Sequence, residues 1–238
     1  HNILNPANGS PVTVPSQDMV LGLYYMTKAR KSTEENPVLG EGLTFYSVDE
    51  VHIAYNEKKV DLSAIINIKV ENLPDGSENK GSIIETTVGR VLFNEVVPKN
   101  AGFFNEVLTK KNLRDIIGKI LKETSVPETS EFLDKIKNMG YGFAFKGGLS
   151  FSLGDIIIPS EKNTLISQAN GKVDNILGNY NMGLITNNER YNQIIDVWTS
   201  TNSHLTSLAM KKISEDQQGF NSVYMMPVSY THLRAHET

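Results

Sequence analysis

Apolar residues recur at helical spacing through residues 160–213. The first stripe consists of Leu165, Ala169, Val173, Ile176 and Tyr180, and the second of Tyr191, Ile194, Ile195, Trp198, Leu205, Leu208 and Ala209. Gly183 and Asn187, which lie between the stripes, favour a turn. The pattern predicts two helices that fold back as an antiparallel hairpin of the coiled-coil type. At about 20 residues per helix, this arm should be roughly 30 Å long.

The preceding residues, 37–158, alternate between helical and strand patterns. Strands are predicted at 64–70 and 82–93, on either side of a turn at 73–81. Helices are predicted at 47–54, 110–123 and 129–138. The fold class is therefore α+β, with a mixed helix and strand domain followed by a protruding antiparallel helical hairpin.

Two local signals support the helices of this block. Ser47 is a candidate N-cap, and Glu50 follows it three residues later, as in a capping box. The helix at 110–123 has one apolar stripe, formed by Leu113, Ile116, Ile117, Ile120 and Leu121.

The first residues of the chain are rich in turn formers. A tight turn is predicted from Pro6, Asn8, Gly9 and Pro11. A short strand at 12–14 should end at Pro15, and Ser16 should cap a helix that has Asp18 in its first turn. The apolar face of this helix would consist of Met19, Leu23 and Met26, and a charged loop follows at 28–37.

Composition excludes several classes of protein. With 238 residues, 39% of them hydrophobic, and a formal net charge of −4, the chain can bury a core and lacks the basic excess of a dedicated nucleic-acid module. The absence of cysteine excludes disulfides and thiolate metal sites, which is consistent with a cytoplasmic location. No apolar run approaches the roughly 20 residues that span a bilayer, so no membrane association is expected.

Motifs that bring chemistry are also missing from the sequence. His232 and His236 have i, i+4 spacing without an intervening Glu, so a metal site is not predicted. Neither a phosphate-binding glycine loop nor a nucleophile elbow is present. The sequence also contains no cluster of three aspartates that could hold magnesium for phosphoryl transfer. No catalytic residue is assigned to this chain.

The residues from Asn2 to Thr27, NILNPANGSPVTVPSQDMVLGLYYMT, closely resemble the pore region of the beta prime family, the largest catalytic-core subunits of bacterial DNA-directed RNA polymerases. Further matches follow in the order of that family, at 85–93 (ETTVGRVLF), 139–145 (MGYGFAF), 155–159 (DIIIP), 183–198 (GLITNNERYNQIIDVW) and 220–226 (FNSVYMM). The resemblance thus extends over residues 1–226.

The resemblance suggests a division of the chain into four parts. Residues 1–36 would end the active-site region and begin the pore, and 37–158 would form the pore domain. Residues 159–226 would form the funnel, with the hairpin at the rim of the secondary channel. Residues 227–238 depart from the family pattern and resemble translated sequencing adaptor, so a non-native tail and an internal fragment of a longer subunit are expected.

The resemblance also implies a function. The whole subunit would add ribonucleotides to RNA on a DNA template by two-metal nucleotidyl transfer, with its Mg²⁺ and Zn²⁺ sites outside this segment. Its partners would be the beta, alpha, omega and sigma subunits, secondary-channel transcription factors, nucleoside triphosphates and the RNA 3′ end, with DNA bound through the whole complex. The alternative is a stand-alone, non-enzymatic interaction module that binds a partner through the hairpin.

Three residues near the start are candidates for the substrate pore. Gln17 matches the family's glutamine that faces the pore for nucleoside triphosphates, and an amide can contact phosphate, ribose or base without adding charge. From the residues alone, Gln17 would instead bond to backbone at a helix start. Asn8 and Asp18 flank the same turn and also have local explanations, because Asn and Asp are common in turns.

Three residues of the hairpin are candidates for partner binding. Thr186 and Glu189 fit a capping box, and in the family the matching glutamate is implicated in contacts with regulators, so both roles are open. Asn192 falls where some relatives contact a nucleotide alarmone together with a regulator. Gln193 stands where those relatives carry lysine, which removes a charge that would attract phosphate and leaves alarmone binding open.

Overall fold

A computed structural model of the chain describes residues 3–34, 36–70, 82–150 and 152–229. The α-helices in these ranges are α1 (Asp18–Thr27), α2 (Val48–Asn56), α3 (Val88–Val96), α4 (Lys110–Glu123), α5 (Val126–Gly147), α6 (Lys162–Asn181), α7 (Asn187–Glu215) and α8 (Ser222–Ser229). Strands are β1 (Thr44–Phe45), β2 (Ile65–Val70) and β3 (Ser82–Thr87). Short 3₁₀ turns lie at Lys99–Ala101, Leu153–Asp155 and Asp216–Gly219. The predicted α+β class is confirmed.

The described residues form two compact units, one within 1–150 and 225–238 and the other within 151–224. The first contains the sheet, in which β1 is parallel to β2 and β2 is antiparallel to β3. Thr44 pairs with Asn67, and Ile65 pairs with Thr87. The second unit contains the helical hairpin of α6 and α7.

Two predicted helices of the first unit are confirmed. Ser47 precedes α2 and its side chain accepts a hydrogen bond from Glu50 N at 3.2 Å, while the Glu50 carboxylate accepts from Tyr46 N at 2.8 Å. The bounds of α4 are the predicted ones, and four of the five stripe residues are buried, whereas Leu121 is partly exposed. Local capping and apolar spacing were sufficient signals for these helices.

The predicted strand at 82–93 is wrong in its second half. The strand β3 ends at Thr87, whose side chain accepts a hydrogen bond from Arg90 N at 3.3 Å and so caps α3. Within α3, Val88, Val91 and Leu92 are buried at helical spacing. The turn predicted at 73–81 lies outside the described residues.

The predicted helix at 129–138 is too short. α5 begins after the capping box of Ser125 and Glu128 and continues to Gly147. It ends at Gly148, which has a φ of 55° and a left-handed conformation. The glycines at 140 and 142 therefore do not stop the helix.

The start of the chain also differs from the prediction. Leu4 and Pro11 form an isolated antiparallel bridge, and residues 12–14 belong to no strand. α1 begins at Asp18, so Gln17 occupies the N-cap position and the predicted cap at Ser16 is wrong. The apolar face is largely as predicted, because Leu23 and Met26 are fully buried and Met19 is partly buried.

The core of the first unit gathers side chains from α1, β2, α3, α4 and α5. Its aromatic centre is an edge-to-face pair of Phe93 and Phe132, with ring centroids 6.4 Å apart and an interplanar angle of 72°. This core fixes α1 against α5 and thereby positions the residues at the start of α1.

The hairpin in the second unit is confirmed, although α7 has 29 residues and exceeds the predicted length. Gly183 turns the chain with a φ of 73°. The partly buried seam of α7 includes Ile194, Val197, Leu205 and Leu208, while Tyr191, Ile195 and Trp198 are 62%, 44% and 40% exposed. The predicted second stripe therefore divides between the seam and an exposed face.

α8 extends to Ser229 and so includes the first residues of the predicted tail.

Candidate functional site

Gln17 occupies an unusual backbone conformation at the start of α1. Its φ of 52° and ψ of −126° lie in a region that favours glycine, and its side chain makes no capping hydrogen bond. Met19 N donates to Ser16 O at 3.2 Å, so Gln17 is the second residue of a tight turn that opens the helix. Its side chain is exposed. The interpretation of Gln17 as a side-chain helix cap does not hold.

Strain of this kind typically costs about 1–3 kcal/mol and often occurs at functional sites. Nothing in the local hydrogen bonding requires glutamine here, because the turn would form more easily with glycine. The amide of Gln17 offers donors and an acceptor to an external ligand. The conformation is therefore consistent with a binding role.

Asn8 and Asp18, the other pore candidates, differ in their surroundings. Asn8 Oδ1 accepts hydrogen bonds from Ser10 N at 3.1 Å and Ser10 Oγ at 2.8 Å, which stabilises the turn that contains Gly9. Asp18 is exposed in the first turn of α1, where its charge is favourable to the helix dipole. The structure thus places Gln17 and Asp18 side by side and gives Asn8 a local role.

The opposite end of α1 is held by a polar network that no sequence pattern predicted. Arg90 Nε donates to Thr27 O at 3.0 Å, and Arg90 also donates to Asn105 Oδ1 at 3.0 Å. Leu108 N donates to Thr27 Oγ1 at 2.9 Å. The only signal in the sequence was the match at 85–93, which contains Arg90.

Basic groups are concentrated at this end. Lys28 Nζ donates to Tyr24 Oη at 3.1 Å. The pKa of Lys28 is lowered mainly by burial and to a smaller extent by repulsion from Arg30. Burial also lowers the pKa of Arg90. Positive charge near the C-terminus of a helix is favourable to the helix dipole, so these residues stabilise α1 at the end that lies away from Gln17.

The partner-binding candidates lie in the first turns of α7. Glu189 completes a capping box, because its Oε2 accepts from Thr186 N at 2.7 Å and Thr186 Oγ1 at 2.9 Å. The pKa of Glu189 is lowered mainly by the hydrogen bond from the Thr186 backbone and to a smaller extent by the hydrogen bond from the Thr186 hydroxyl. The capping interpretation is confirmed, and contact with a partner stays a prediction.

Asn192 and Gln193 are both exposed and follow Glu189 by three and four residues. At these spacings the side chains share one face of a helix, so the structure brings the three candidates together.

Nearby, the Arg190 guanidinium lies 4.8 Å from the ring centroid of Tyr180 and connects α7 to α6.

The other end of the hairpin is joined by an ion pair. Lys212 Nζ donates to Glu161 Oε2 at 2.9 Å and to Ser160 Oγ at 3.2 Å. The bond from Lys212, with smaller contributions from the Glu161 backbone and Ser160, lowers the pKa of Glu161 to about 2.

This pair predicts a pH dependence of hairpin stability. The folded pKa of Glu161 is below its ordinary value of 4.5, so the stabilisation is present above that value and is lost as the pH falls towards 2. The Glu161→Gln variant should therefore lose less stability than the wild type between pH 5 and pH 2.5, measured as the urea midpoint of helical circular dichroism. Asp174→Asn on α6 is the control and should behave as the wild type. An unchanged pH dependence in Glu161→Gln would contradict the ion pair.

Among the described residues, no three His, Asp or Glu side chains are grouped so that they could hold a metal ion. The same part of the chain has no helix with the length and apolar character needed to cross a membrane. No step of metal-dependent chemistry is assigned to these residues.

Comparisons with known proteins give the family. The model of the family described as RNA polymerase Rpb1, domain 3, matches residues 2–156. The DNA-directed RNA polymerase subunit beta′ of Flavobacterium psychrophilum is 68% identical over 226 residues, which are 95% of this chain and 16% of that subunit. The corresponding subunits of Flavobacterium johnsoniae and Parabacteroides distasonis are 67% and 58% identical over 226 residues, which are 95% of this chain in both cases and 16% and 15% of the two subunits.

The chain therefore spans about one sixth of the length of these relatives, since the matched residues make up 16% of the Flavobacterium psychrophilum subunit. The family match covers most of the first compact unit, including α1 and the Gln17 turn. The similarity to beta′ subunits covers both units. On this evidence, the chain belongs to the RNA polymerase Rpb1, domain 3, family.

Proposed function

We propose that this chain is part of the beta′ subunit of a bacterial DNA-directed RNA polymerase and acts in RNA synthesis from nucleoside triphosphates on a DNA template. The observation that carries this proposal is the 68% identity to such a subunit across 95% of the chain. The beta, alpha, omega and sigma subunits would be its partners, and DNA would bind through the whole complex. The nucleotidyl transfer and its Mg²⁺ ions, as well as Zn²⁺, belong to other parts of the subunit.

Within the enzyme, the start of α1 would line the pore through which nucleoside triphosphates and the RNA 3′ end pass. The exposed side chain of Gln17 and its strained backbone support this role. An uncharged amide can bind a passing triphosphate without holding it too tightly. Asp18 would lie next to it at the pore surface.

The hairpin would form the rim of the secondary channel and would bind transcription factors. Glu189, Asn192 and Gln193 present one polar face in the first turns of α7. One oxygen of Glu189 is occupied by Thr186, so the carboxylate is held in a fixed orientation for a partner. The high similarity to beta′ subunits over both compact units favours this interpretation over a stand-alone interaction module.

The pore role predicts a kinetic effect of Gln17. Replacing Gln17 by Ala in the assembled polymerase should raise the KM for nucleoside triphosphates by about two- to tenfold, because one uncharged hydrogen bond contributes about 0.5–1.5 kcal/mol. The KM would be measured by steady-state extension of a preformed RNA–DNA scaffold.

The Gln193→Ala variant is the matched control, because it loses the same amide in the other compact unit. It should leave the KM for nucleoside triphosphates unchanged. An unchanged KM in Gln17→Ala, or an equal rise in both variants, would show that Gln17 does not contact the substrate.

A further inference from the structure

The backbones of α1 and α5 approach each other closely at a pair of glycines. A Cβ atom built on Gly22 would overlap Gly140 O, and it would lie 2.7 Å from Ala144 N. One built on Gly140 would lie 2.7 Å from Met19 O and 2.9 Å from Met19 Cα. Real Cβ atoms essentially never approach other atoms to less than 3.0 Å, so any larger residue at Gly140 must displace the backbone of α1.

The displaced atoms belong to the first turn of α1, two residues after Gln17. The carbonyl of Gln17 accepts the helical hydrogen bond of Leu21 N at 3.1 Å, so the helix transmits a shift of Met19 to Gln17. The backbone of Gln17 already has a φ of 52°, and it therefore has little freedom to absorb the shift. The position of the Gln17 amide depends on the close approach at Gly140.

We propose that Gly140 is a positioning residue for Gln17: its missing side chain lets the first turn of α1 sit where the Gln17 amide reaches the substrate. This inference rests on the proposed pore function. Gly140→Ala should raise the KM for nucleoside triphosphates by about two- to tenfold, the range expected for loss of the Gln17 hydrogen bond. The kcat should change less than the KM.

The same helix supplies two matched controls. A Cβ on Gly142 meets no atom within 4 Å, so Gly142→Ala should leave the KM unchanged. A Cβ on Gly147 lies 3.2 Å from the ring of Tyr25, in the last turns of α1 and away from Gln17. Gly147→Ala therefore disturbs the same pair of helices at the other end, and it should also leave the KM unchanged.

The test is a double-mutant cycle in the assembled polymerase with Gln17→Ala, Gly140→Ala and the combined variant. If Gly140 acts through Gln17, the combined variant should have the KM of Gln17→Ala alone. Additive increases would overturn the proposal, because Gly140 would then act by another route. A KM rise in Gly147→Ala equal to that in Gly140→Ala would also overturn it.

Hydrogen exchange measured by mass spectrometry in the same enzymes gives a second readout that does not depend on activity. Gly140→Ala should accelerate amide exchange in residues 18–21, whereas Gly147→Ala should accelerate it only near residue 25 and Gly142→Ala should not. Unchanged exchange at 18–21 in Gly140→Ala would overturn the positioning role. If exchange there rises while Gln17→Ala leaves the KM unchanged, the pore function fails and the control of α1 by Gly140 stands.

Discussion

Gly89→Ala should lower the free energy of unfolding of the chain by about 3 kcal/mol, a large value for a single methyl group. A Cβ on Gly89 would overlap Met26 O, and it would also lie 2.7 Å from Met26 C and 3.1 Å from Met26 Cγ. The two nearest atoms belong to the backbone of α1, so a change of side-chain rotamer cannot relieve the overlap. The measurement is urea unfolding of the chain, followed by circular dichroism.

Gly118→Ala is the control for this experiment. Gly118 lies inside α4, and its added Cβ would be 3.8 Å from Pro11 Cγ, an ordinary contact distance. Because alanine favours helix over glycine by about 1 kcal/mol, this variant should be as stable as the wild type or more stable. A Gly89→Ala variant as stable as the wild type would mean that α1 and α3 are not in backbone contact at this position.

Phe132→Ala should cost about 3–5 kcal/mol, which is the usual range for removing a buried aromatic ring. Phe132 is 2% exposed, and its ring meets Phe93 edge to face at the centre of the first unit. The loss combines the transfer of the ring to water with the cavity that remains. The same urea titration measures it.

Phe145→Ala is the matched control on the same helix. Its side chain is 88% exposed, so its removal should change the stability by less than about 0.5 kcal/mol. A loss of several kcal/mol in Phe145→Ala would show that α5 is rotated relative to the arrangement described above. A small loss in Phe132→Ala would show the same.

Several helices could be predicted from the sequence because their signals are local. Ser47 and Glu50 start α2 through hydrogen bonds within four residues, and Thr186 and Glu189 start α7 in the same way. Helical spacing of apolar residues was sufficient for α4 and α6. The polar face of Glu189, Asn192 and Gln193 follows from the same periodicity.

The errors arose where distant contacts override local preference. Residues 88–93 are rich in β-branched and apolar side chains that suit a strand. Thr87 nevertheless caps α3 there, and the apolar face of α3 packs in the core. The helix predicted at 129–138 continues through Gly140, which is the place where α1 approaches α5. Its contact partners lie more than a hundred residues away in the chain.

The candidate site shows the same division. The resemblance to a polymerase family singled out Gln17, but no sequence pattern predicted its left-handed backbone or the network of Arg90, Thr27 and Asn105 at the other end of α1. These features depend on how α1 packs between α3 and α5. Sequence patterns report neighbours three or four residues apart and do not report such packing.

By itself, the sequence determined the α+β class, the helical hairpin and its capping box, and the polymerase family. These properties depend on hydrogen bonds between near neighbours, on apolar periodicity and on residue identity. Only the tertiary structure decided the end of β3, the length of α5 and the position of Gln17. The reason is steric: backbones that approach at Gly22, Gly89 and Gly140 leave no room for a Cβ, and this constraint exists only once the helices are packed.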